Sequence, residues 1–207
     1  MIIKHFLIGS IGTNCYLVWD EGSDDAFLID PAQNLPEIAQ AIREEFLNLK
    51  YVILTHGHGD HIGGVTGILA EFPDAKLAAG RMEAELLAQA RMNFSLEITG
   101  KSVSLVPDIF LNDGDELSVG NLTLAIIETP GHTPGGISIL VNREVLFSGD
   151  TLFRDSIGRT DLAGGNYERI VASIREKLFV LPDEVRVYPG HMDETTIGHE
   201  KKFNPYV

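Results

Sequence analysis

The chain has 207 residues, 44% of them hydrophobic and 22% charged, a composition that is typical of a globular protein and excludes global disorder. Its 30 acidic and 16 basic residues give a formal charge of −14, so we expect neither a nucleic-acid partner nor a membrane partner. The single Cys15 excludes an intramolecular disulfide, and no apolar run resembles a leader peptide or a spanning helix. These features predict a cytoplasmic protein.

The first part of the sequence predicts short strands separated by helices. Runs rich in β-branched and aromatic residues predict strands at Thr13–Trp19, 26–30, 51–54 and 76–79. Apolar residues recur at helical spacing after Pro36, which predicts one helix from residue 36 to residue 49. Further helical patterns cover 62–72 and 81–92.

The second part repeats this alternation, which predicts an α/β architecture. Strands are expected at 122–127, 136–141, 144–147 and 185–188, and a helix at 167–179. Short apolar strands end at four potential ligands, which are Asp30, His56, Asp150 and His191. Functional groups of α/β proteins are often carried by loops at strand ends, so we expect these side chains to meet in one site.

Three of the seven histidines lie in the run His56-Gly57-His58-Gly59-Asp60-His61. Imidazole and carboxylate groups are ligands for zinc, iron and manganese. Two histidines that are two residues apart in an extended segment point the same way, and the following turn can aim Asp60 and His61 at a neighbouring position. The intervening glycines remove bulk and permit unusual backbone angles. The run can therefore serve two adjacent metals.

Three later segments supply further ligand-type residues at loops. His132 lies in a loop rich in proline and glycine, whereas Asp150 and His191 each follow a predicted strand. We expect all three to belong to the same site as the histidine-rich run.

These motifs, in this order and spacing, resemble the five-part pattern of the metallo-β-lactamase superfamily over nearly the whole chain. Within it, the chain is most similar to the short hydroxyacylglutathione hydrolase-like, or glyoxalase II-like, proteins. That similarity is carried by 14–16, 30–31, 149–153, 158–161 and the ending 203–206. The resemblance implies a four-layer αββα sandwich, with two facing mixed β-sheets and helices outside, formed by residues 1–207 as one domain.

The resemblance also implies which residues bind metal. The ligands of the first metal would be His56, His58 and His132, and those of the second would be Asp60, His61 and His191. Asp150 would bridge both metals, and Asp30 would orient a ligand. A hydroxide held between the metals would be the nucleophile, with Asp60 as a catalytic residue that holds the second metal and could handle a proton. Zinc is the expected metal, and iron or manganese is also compatible.

The chemistry of the leaving group favours an acyl-thiol as the small-molecule substrate. A thiolate, with a conjugate pKa of about 8.5, can depart without an acid, whereas an amine must be protonated. The motifs fix no further acid beyond the ligands. Hydrolysis of a thioester is therefore the main hypothesis, and hydrolysis of another ester, a lactone or a lactam stays open.

Two further comparisons with relatives define the alternatives. Full-length hydroxyacylglutathione hydrolases carry a C-terminal helical domain that binds glutathione, and we expect none here because the chain ends sixteen residues after His191. Persulfide dioxygenases share nearly the same ligands but employ one iron; the run 153–157 favours a hydrolase. Arg159 and Asp161 are candidates for the pocket wall, and the segment 81–92 is a candidate lid or a core helix. Monomer and dimer both stay open.

Overall fold

The structure, a computed structural model, describes residues 1–207 and contains fourteen strands. The first six strands are β1 (Ile2–Ile8), β2 (Thr13–Trp19), β3 (Asp25–Ile29), β4 (Asn48–Leu54), β5 (Lys76–Gly80) and β6 (Ile109–Leu111). The others are β7 (Glu116–Val119), β8 (Leu122–Glu128), β9 (Ile137–Val141), β10 (Val145–Gly149), β11 (Leu152–Phe153), β12 (Ser156–Ile157), β13 (Arg186–Pro189) and β14 (Thr195–Thr196).

Seven α-helices connect or cover these strands. They are α1 (Pro36–Glu44), α2 (Gly59–Ile62), α3 (Val65–Glu71), α4 (Ala84–Ala88), α5 (Ser95–Thr99), α6 (Tyr167–Ser173) and α7 (Ile197–Phe203). A 3₁₀ turn, Arg81–Glu83, precedes α4, and a π-helical turn, Ile174–Leu178, continues α6. None of these helices has both the length and the apolar character needed to cross a bilayer.

The strands form two six-stranded mixed sheets and one small ribbon. The first sheet has the order β1-β2-β3-β4-β5-β6, antiparallel as far as β3 and parallel from there onward. The second has the order β14-β13-β10-β9-β8-β7, and only its β10–β13 pair is parallel. Strands β11 and β12 pair separately as the ribbon.

Three apolar layers hold the sheets and helices together, as strand β2 illustrates. Tyr16 and Val18 point between the sheets, where they join Phe27 and Phe147, whereas Cys15 points to the opposite face of the first sheet. That opposite face packs against α1, α2 and α3, and the outer face of the second sheet packs against α6 and its π-helical turn. The predicted αββα sandwich is therefore confirmed, with both faces of each sheet covered.

The prediction of a helix from residue 36 to residue 49 is wrong at its end. Helix α1 ends at Glu44, and Phe46 adopts a left-handed conformation with φ of 55°. The Leu47 N–H then donates to the Ile42 carbonyl at 2.9 Å, a reverse turn that terminates the helix. Leu49 belongs to β4, where it is paired with Ala26 of β3. Its apolar character reflects a place in the sheet core rather than on a helix.

Two other predicted helices are interrupted. The pattern 62–72 is divided between α2 and α3 at Gly63 and Gly64, whose backbones lie against the carbonyl of Ala32 and the backbone of Gln33. The segment 81–92 is a 3₁₀ turn followed by the five residues of α4, which ends where the backbone of Gln89 becomes extended. Tertiary contacts of the loop after β3 and of the turn preceding α4 outweigh local helical spacing here.

Candidate metal centre

The candidate site lies at one edge of the sandwich, where five strands end. Asp30 follows β3, the run 55–61 follows β4, His132 follows β8, Asp150 follows β10 and His191 follows β13. Strands β3 and β4 are parallel, as are β10 and β13, so the carboxyl ends within each pair point the same way. The 3.5 Å approach of His61 to Asp150 shows that the two pairs end at the same edge of the sandwich. The structure thus brings together every ligand-type residue that the sequence places at a strand end.

Three histidines form the first cluster, defined here as His56, His58 and His132. His58 Nδ1 lies 2.9 Å from His132 Nε2, which in turn lies 3.2 Å from His56 Nε2. His132 Nδ1 donates to the Arg159 carbonyl oxygen at 2.7 Å, so its Nε2 lone pair faces the cluster. All three rings are buried. Three converging ring nitrogens are the donor set that a borderline divalent metal prefers.

The second cluster, defined as Asp60, His61 and His191, contains a carboxylate. His61 Nε2 lies 3.2 Å from His191 Nε2, and Asp60 Oδ2 lies 3.3 Å from His191 Nε2 and 3.8 Å from His61 Nε2. His191 Nδ1 donates to the Gly12 carbonyl oxygen at 3.2 Å. That bond turns Nε2 of His191 toward the cluster, as a ligand requires.

Asp150 lies between the two clusters. Its Oδ2 is 3.6 Å from His132 Nε2 and 3.5 Å from His191 Nε2, and its Oδ1 is 3.5 Å from His61 Nε2. Asp150 Oδ1 and His58 Nε2 are buried and make no hydrogen bond. A buried carboxylate oxygen without a donor costs on the order of 1–3 kcal/mol, more when it is charged. A cation on each side of Asp150 would remove that cost, so the donor set fits two metals.

Asp30 is linked by hydrogen bonds to one histidine of each cluster. Its carboxylate accepts bonds from the Thr55 N–H at 2.8 Å, the Thr55 hydroxyl at 2.6 Å and His61 Nδ1 at 2.9 Å. The Thr55 hydroxyl lies 3.2 Å from His56 Nδ1, which can donate to it. Asp30 therefore orients one histidine of each cluster, directly for His61 and through Thr55 for His56. The expectation that Asp30 orients a ligand corresponds to its bond with His61. Nothing in the sequence indicates the indirect contact with His56 through Thr55.

Two histidines of the first cluster, His56 and His58, are kept neutral. Burial lowers the pKa of His56 well below its usual value, and the neighbouring imidazoles lower it further. Burial and the closeness of His132 and His61 lower the pKa of His58 to about 4. Neutral imidazoles have free lone pairs, so these two histidines can bind metal without first losing a proton.

The second cluster retains protons when no metal is bound. Burial opposes charge on His61, but the carboxylates of Asp150, Asp30 and Asp60 outweigh it and raise the pKa of His61 to about 10. The pKa of His191 is raised as well, because its hydrogen bond to Asp60 and the negative charges of Asp150 and Asp60 together outweigh burial. The pKa of Asp60 is well below its usual range, since its contacts with His191 and His61 outweigh its own burial.

Glycines are needed here because of close approach rather than unusual backbone angles. A Cβ at Gly59 would lie 2.5 Å from the Cα of Ser95, and a Cβ at Gly190 would lie 2.2 Å from Asp150 Oδ1. Neither residue has a positive φ, so any side chain would be compatible with the backbone but not with the space. Glycine is required at these two positions because it has no side chain, which leaves room for the neighbouring atoms.

A cavity of about 610 Å³ opens over both clusters. Its walls are largely apolar, and the apolar side chains that line it are Ile11, Ile98, Phe153, Ile157, Leu162 and Met192. Besides ligand residues, its polar lining consists of Ser156 and Arg159. The sequence does not identify Ile11, Ile98 or Met192, because they come from the β1–β2 turn, from α5 and from the residue after His191. No local pattern connects those three segments.

The two predicted pocket residues have different positions. Arg159 lines the cavity, whereas Asp161 does not. Their side chains form a two-bond ion pair at 2.7 and 2.8 Å on the surface, and the hydrogen bonds from Arg159 lower the pKa of Asp161 to about 2. The Arg159 backbone carbonyl has a further role, since it orients His132.

The segment 81–92 does not line the cavity, so it is not a lid in this structure. Leu86 and Leu87 are buried, and a Cβ at Gly57 would lie 3.1 Å from Leu87 Cδ2. The segment packs behind the run 55–61, which matches the alternative of a core element. It also places a buried carboxylate, Glu83, against that run, which the sequence does not indicate.

Another group of ligand-type residues, Asp155, His199 and Glu200, lies apart from the cavity. His199 Nε2 bonds to Asp155 Oδ1 at 2.7 Å, and the Glu200 carboxylate accepts bonds from Thr195 and Asn204. These polar groups already satisfy one another, so the group is a structural network that fixes α7.

The comparisons with known proteins agree with this geometry. A family model described as the metallo-beta-lactamase superfamily matches residues 8–191. Hydroxyacylglutathione hydrolase GloC from Haemophilus influenzae is 37% identical, with 100% of this chain and 98% of that protein aligned.

Two solved structures show the same fold. BLEG-1 B3 metallo-beta-lactamase has a TM-score of 0.91 at 35% identity, covering 99% of each chain. TTHA1623 in a di-iron-bound form has a TM-score of 0.85 at 30% identity, covering 99% of this chain and 100% of that one. Together with the two clusters and the αββα sandwich, these matches show that the chain belongs to the metallo-β-lactamase superfamily.

Proposed function

We propose that this metal-dependent hydrolase cleaves acyl thioesters of a small thiol and that it uses two divalent metals. The observation that carries the proposal is Asp150, whose carboxylate lies within 3.6 Å of donors in both clusters and has an oxygen without a hydrogen-bond partner. Both clusters have their full set of ligand-type residues, so the chain has the groups needed to hold a second metal as well as a first. When bound, two metals supply a nucleophile from water near neutral pH and polarise a carbonyl.

The chain's own residues would hold and orient these metals. The first cluster would hold one, the second cluster the other, and Asp150 would contact both. Asp30 would keep His61 and His56 in the orientations that present Nε2, and the Gly12 carbonyl would do the same for His191. Asp60 would complete the second site, so its removal should empty that site first.

The polar content of the cavity supports a thioester over an amide. Beyond the ligands, the cavity presents a serine hydroxyl and the Arg159 guanidinium, and neither is an effective acid at neutral pH. A thiolate leaves without protonation, whereas the amine of an opened lactam needs a proton. A lactam remains the second candidate, because the BLEG-1 relative is described as a B3 metallo-beta-lactamase.

The thiol carrier is a separate question. The relative from Haemophilus influenzae is described as a hydroxyacylglutathione hydrolase, which supports glutathione as a carrier. Glutathione, however, has two carboxylates, and the cavity offers one cationic side chain, Arg159, already paired with Asp161. The apolar walls suit the acyl group better than they suit a charged peptide. We therefore expect turnover of a glutathione thioester without tight binding.

The test is an activity comparison on purified protein reconstituted with zinc, iron or manganese. We expect hydrolysis of S-lactoylglutathione that chelation abolishes and metal restores, with slower opening of a chromogenic β-lactam. Faster opening of the lactam would favour lactam hydrolysis, the second candidate, over thioester hydrolysis. Oxygen consumption with a persulfide, in a protein holding one iron, would instead identify a dioxygenase and overturn the hydrolase proposal.

A further inference from the structure

Glu83 is a fully buried acidic residue outside the two clusters. It ends the 3₁₀ turn that follows β5. One carboxylate oxygen accepts bonds from the Thr133 hydroxyl and from the Gly135 N–H at 2.8 Å, and the other accepts from the Gly57 N–H at 3.1 Å. All three donors are uncharged. Burial raises the pKa of Glu83, and these three hydrogen bonds counteract part of that rise.

The three donors belong to the two loops that carry the first cluster. Gly57 lies between His56 and His58, and Thr133 follows His132 directly. One carboxylate thus connects the loop of His56 and His58 to the loop of His132, which lies more than 70 residues further along the chain. Asp60 and His61 of the second cluster share the run of Gly57, but they lie at least three residues beyond it, on α2, and do not bond to Glu83. The loop of His191 does not bond to Glu83 either, so the direct contacts flank only the histidines of the first cluster.

A carboxylate is energetically unfavourable at this buried position. A buried charge is unfavourable, and apolar residues of similar volume often make a protein equally or more stable. An apolar side chain, however, could not bond to both loops at once. Glu83 does not line the cavity, so it contacts neither substrate nor a metal held by the clusters. Its contacts are suited to fixing the distance between the two loops.

We propose that Glu83 is a positioning residue that holds the two ligand loops of the first cluster in register and so sets the metal affinity of that cluster. The proposal rests on the proposed function, since it assumes that the clusters bind metal. Its physical basis is preorganisation: ligands already held at their spacing lose less freedom on binding. Substitution of groups that orient ligands typically costs 10–100-fold in metal affinity.

Glu83→Gln is the most direct variant because it keeps the volume and the shape of the side chain. Its amide nitrogen must face either the Gly57 N–H or the donors from Thr133 and Gly135, so one loop loses its acceptor in either orientation. Glu85→Gln is the matched control. Glu85 is exposed two residues away, and its substitution removes the same charge.

The affinity of each cluster is measured separately by zinc competition titration with a chromophoric chelator. A His191→Ala background reports on the first cluster, and a His58→Ala background reports on the second. We expect Glu83→Gln to weaken zinc binding about 10–100-fold in the His191→Ala background and less than about threefold in the other. Glu85→Gln should change neither affinity. Thermal unfolding of each metal-free variant is measured alongside.

Thr133→Val provides a second variant should Glu83→Gln fail to fold, because it removes one donor and leaves the carboxylate in place. It should weaken the first cluster alone, by less than Glu83→Gln does. Unchanged affinity at the first cluster in either folded variant would overturn the proposal, as would equal losses at both clusters that follow a fall in Tm. Wild-type protein that binds no zinc would instead refute the metal centre itself.

Discussion

The two clusters use similar ligands at one edge of the fold, yet they differ in charge and in support. The first contains three buried histidines without a carboxylate, and the pKa values of His56 and His58 are lowered. The second contains Asp60, has Asp30 behind it, and raises the pKa of His61 to about 10. Two adjacent clusters in one protein can therefore differ in protonation, because histidine pKa values are lowered in one and raised in the other.

The difference follows from where the carboxylates lie. Near His61, three acidic side chains stabilise an imidazolium, so a proton occupies part of the second cluster until a metal replaces it. In the first cluster, neighbouring imidazoles and burial destabilise that charge. We expect the first cluster to bind metal over a wider pH range and the second to release a proton on binding.

Asp150→Ala should have the largest effect because it removes the one ligand shared by the clusters. We expect kcat/KM to fall about a thousandfold or more, which corresponds to ~4 kcal/mol, with loss of metal from both clusters. Steady-state kinetics and metal analysis measure the two effects. Asp74→Asn, at an exposed position away from the site, is the control and should change neither. Retention of both metals by Asp150→Ala would show that Asp150 is not a ligand shared by the two clusters.

Asp60→Ala should separate the clusters, since Asp60 contacts only the second. We expect about a hundredfold loss of kcat and one remaining metal ion per chain, with little change in Tm. Metal stoichiometry is measured on the same sample as the rate. Wild-type turnover in a protein whose second site is demonstrably empty would contradict the two-metal proposal and favour a mononuclear centre.

Acidification should empty the second cluster first. Because the pKa of His61 is about 10, zinc must displace a proton at every pH below that value, and the affinity should fall about tenfold per pH unit. His58, with a pKa of about 4, carries no proton to displace until the pH approaches 4. Zinc titrations at pH 5, 6 and 7 in the single-cluster backgrounds measure both slopes. A steeper slope for the first cluster would reverse the proposed contrast.

The smallest effect concerns the thiol carrier, which would lie beyond both clusters. We expect a KM for S-lactoylglutathione on the order of a millimolar or above. Replacing glutathione by a smaller thiol should change kcat/KM less than about tenfold, or ~1.4 kcal/mol, since Arg159 is the only cationic side chain in the cavity. Kinetics on a matched pair of thioesters decide the matter. A micromolar KM with a large loss on truncation would demonstrate a dedicated glutathione site.

The sequence by itself predicts alternating strands and helices, with ligand-type residues at the ends of four short apolar strands. The αββα architecture is what the resemblance to the superfamily implies, and the structure confirms it. The resemblance to the superfamily then predicts how the seven residues divide between two metals. In the structure, the first three histidines lie together, as do Asp60, His61 and His191, with Asp150 between the two groups. Their division between two metals stays a prediction.

Only the tertiary structure decides the features that depend on distant contacts. Helix α1 ends at Glu44 and Leu49 joins a strand, although their spacing is helical. The cavity walls join the β1–β2 turn, α5 and Met192, and Glu83 connects Gly57 to Thr133. The pKa values of His58 and His61 move in opposite directions because burial and carboxylate proximity depend on the three-dimensional arrangement. Periodicity and motif spacing describe neighbours along the chain, whereas these properties arise between residues that only folding brings together.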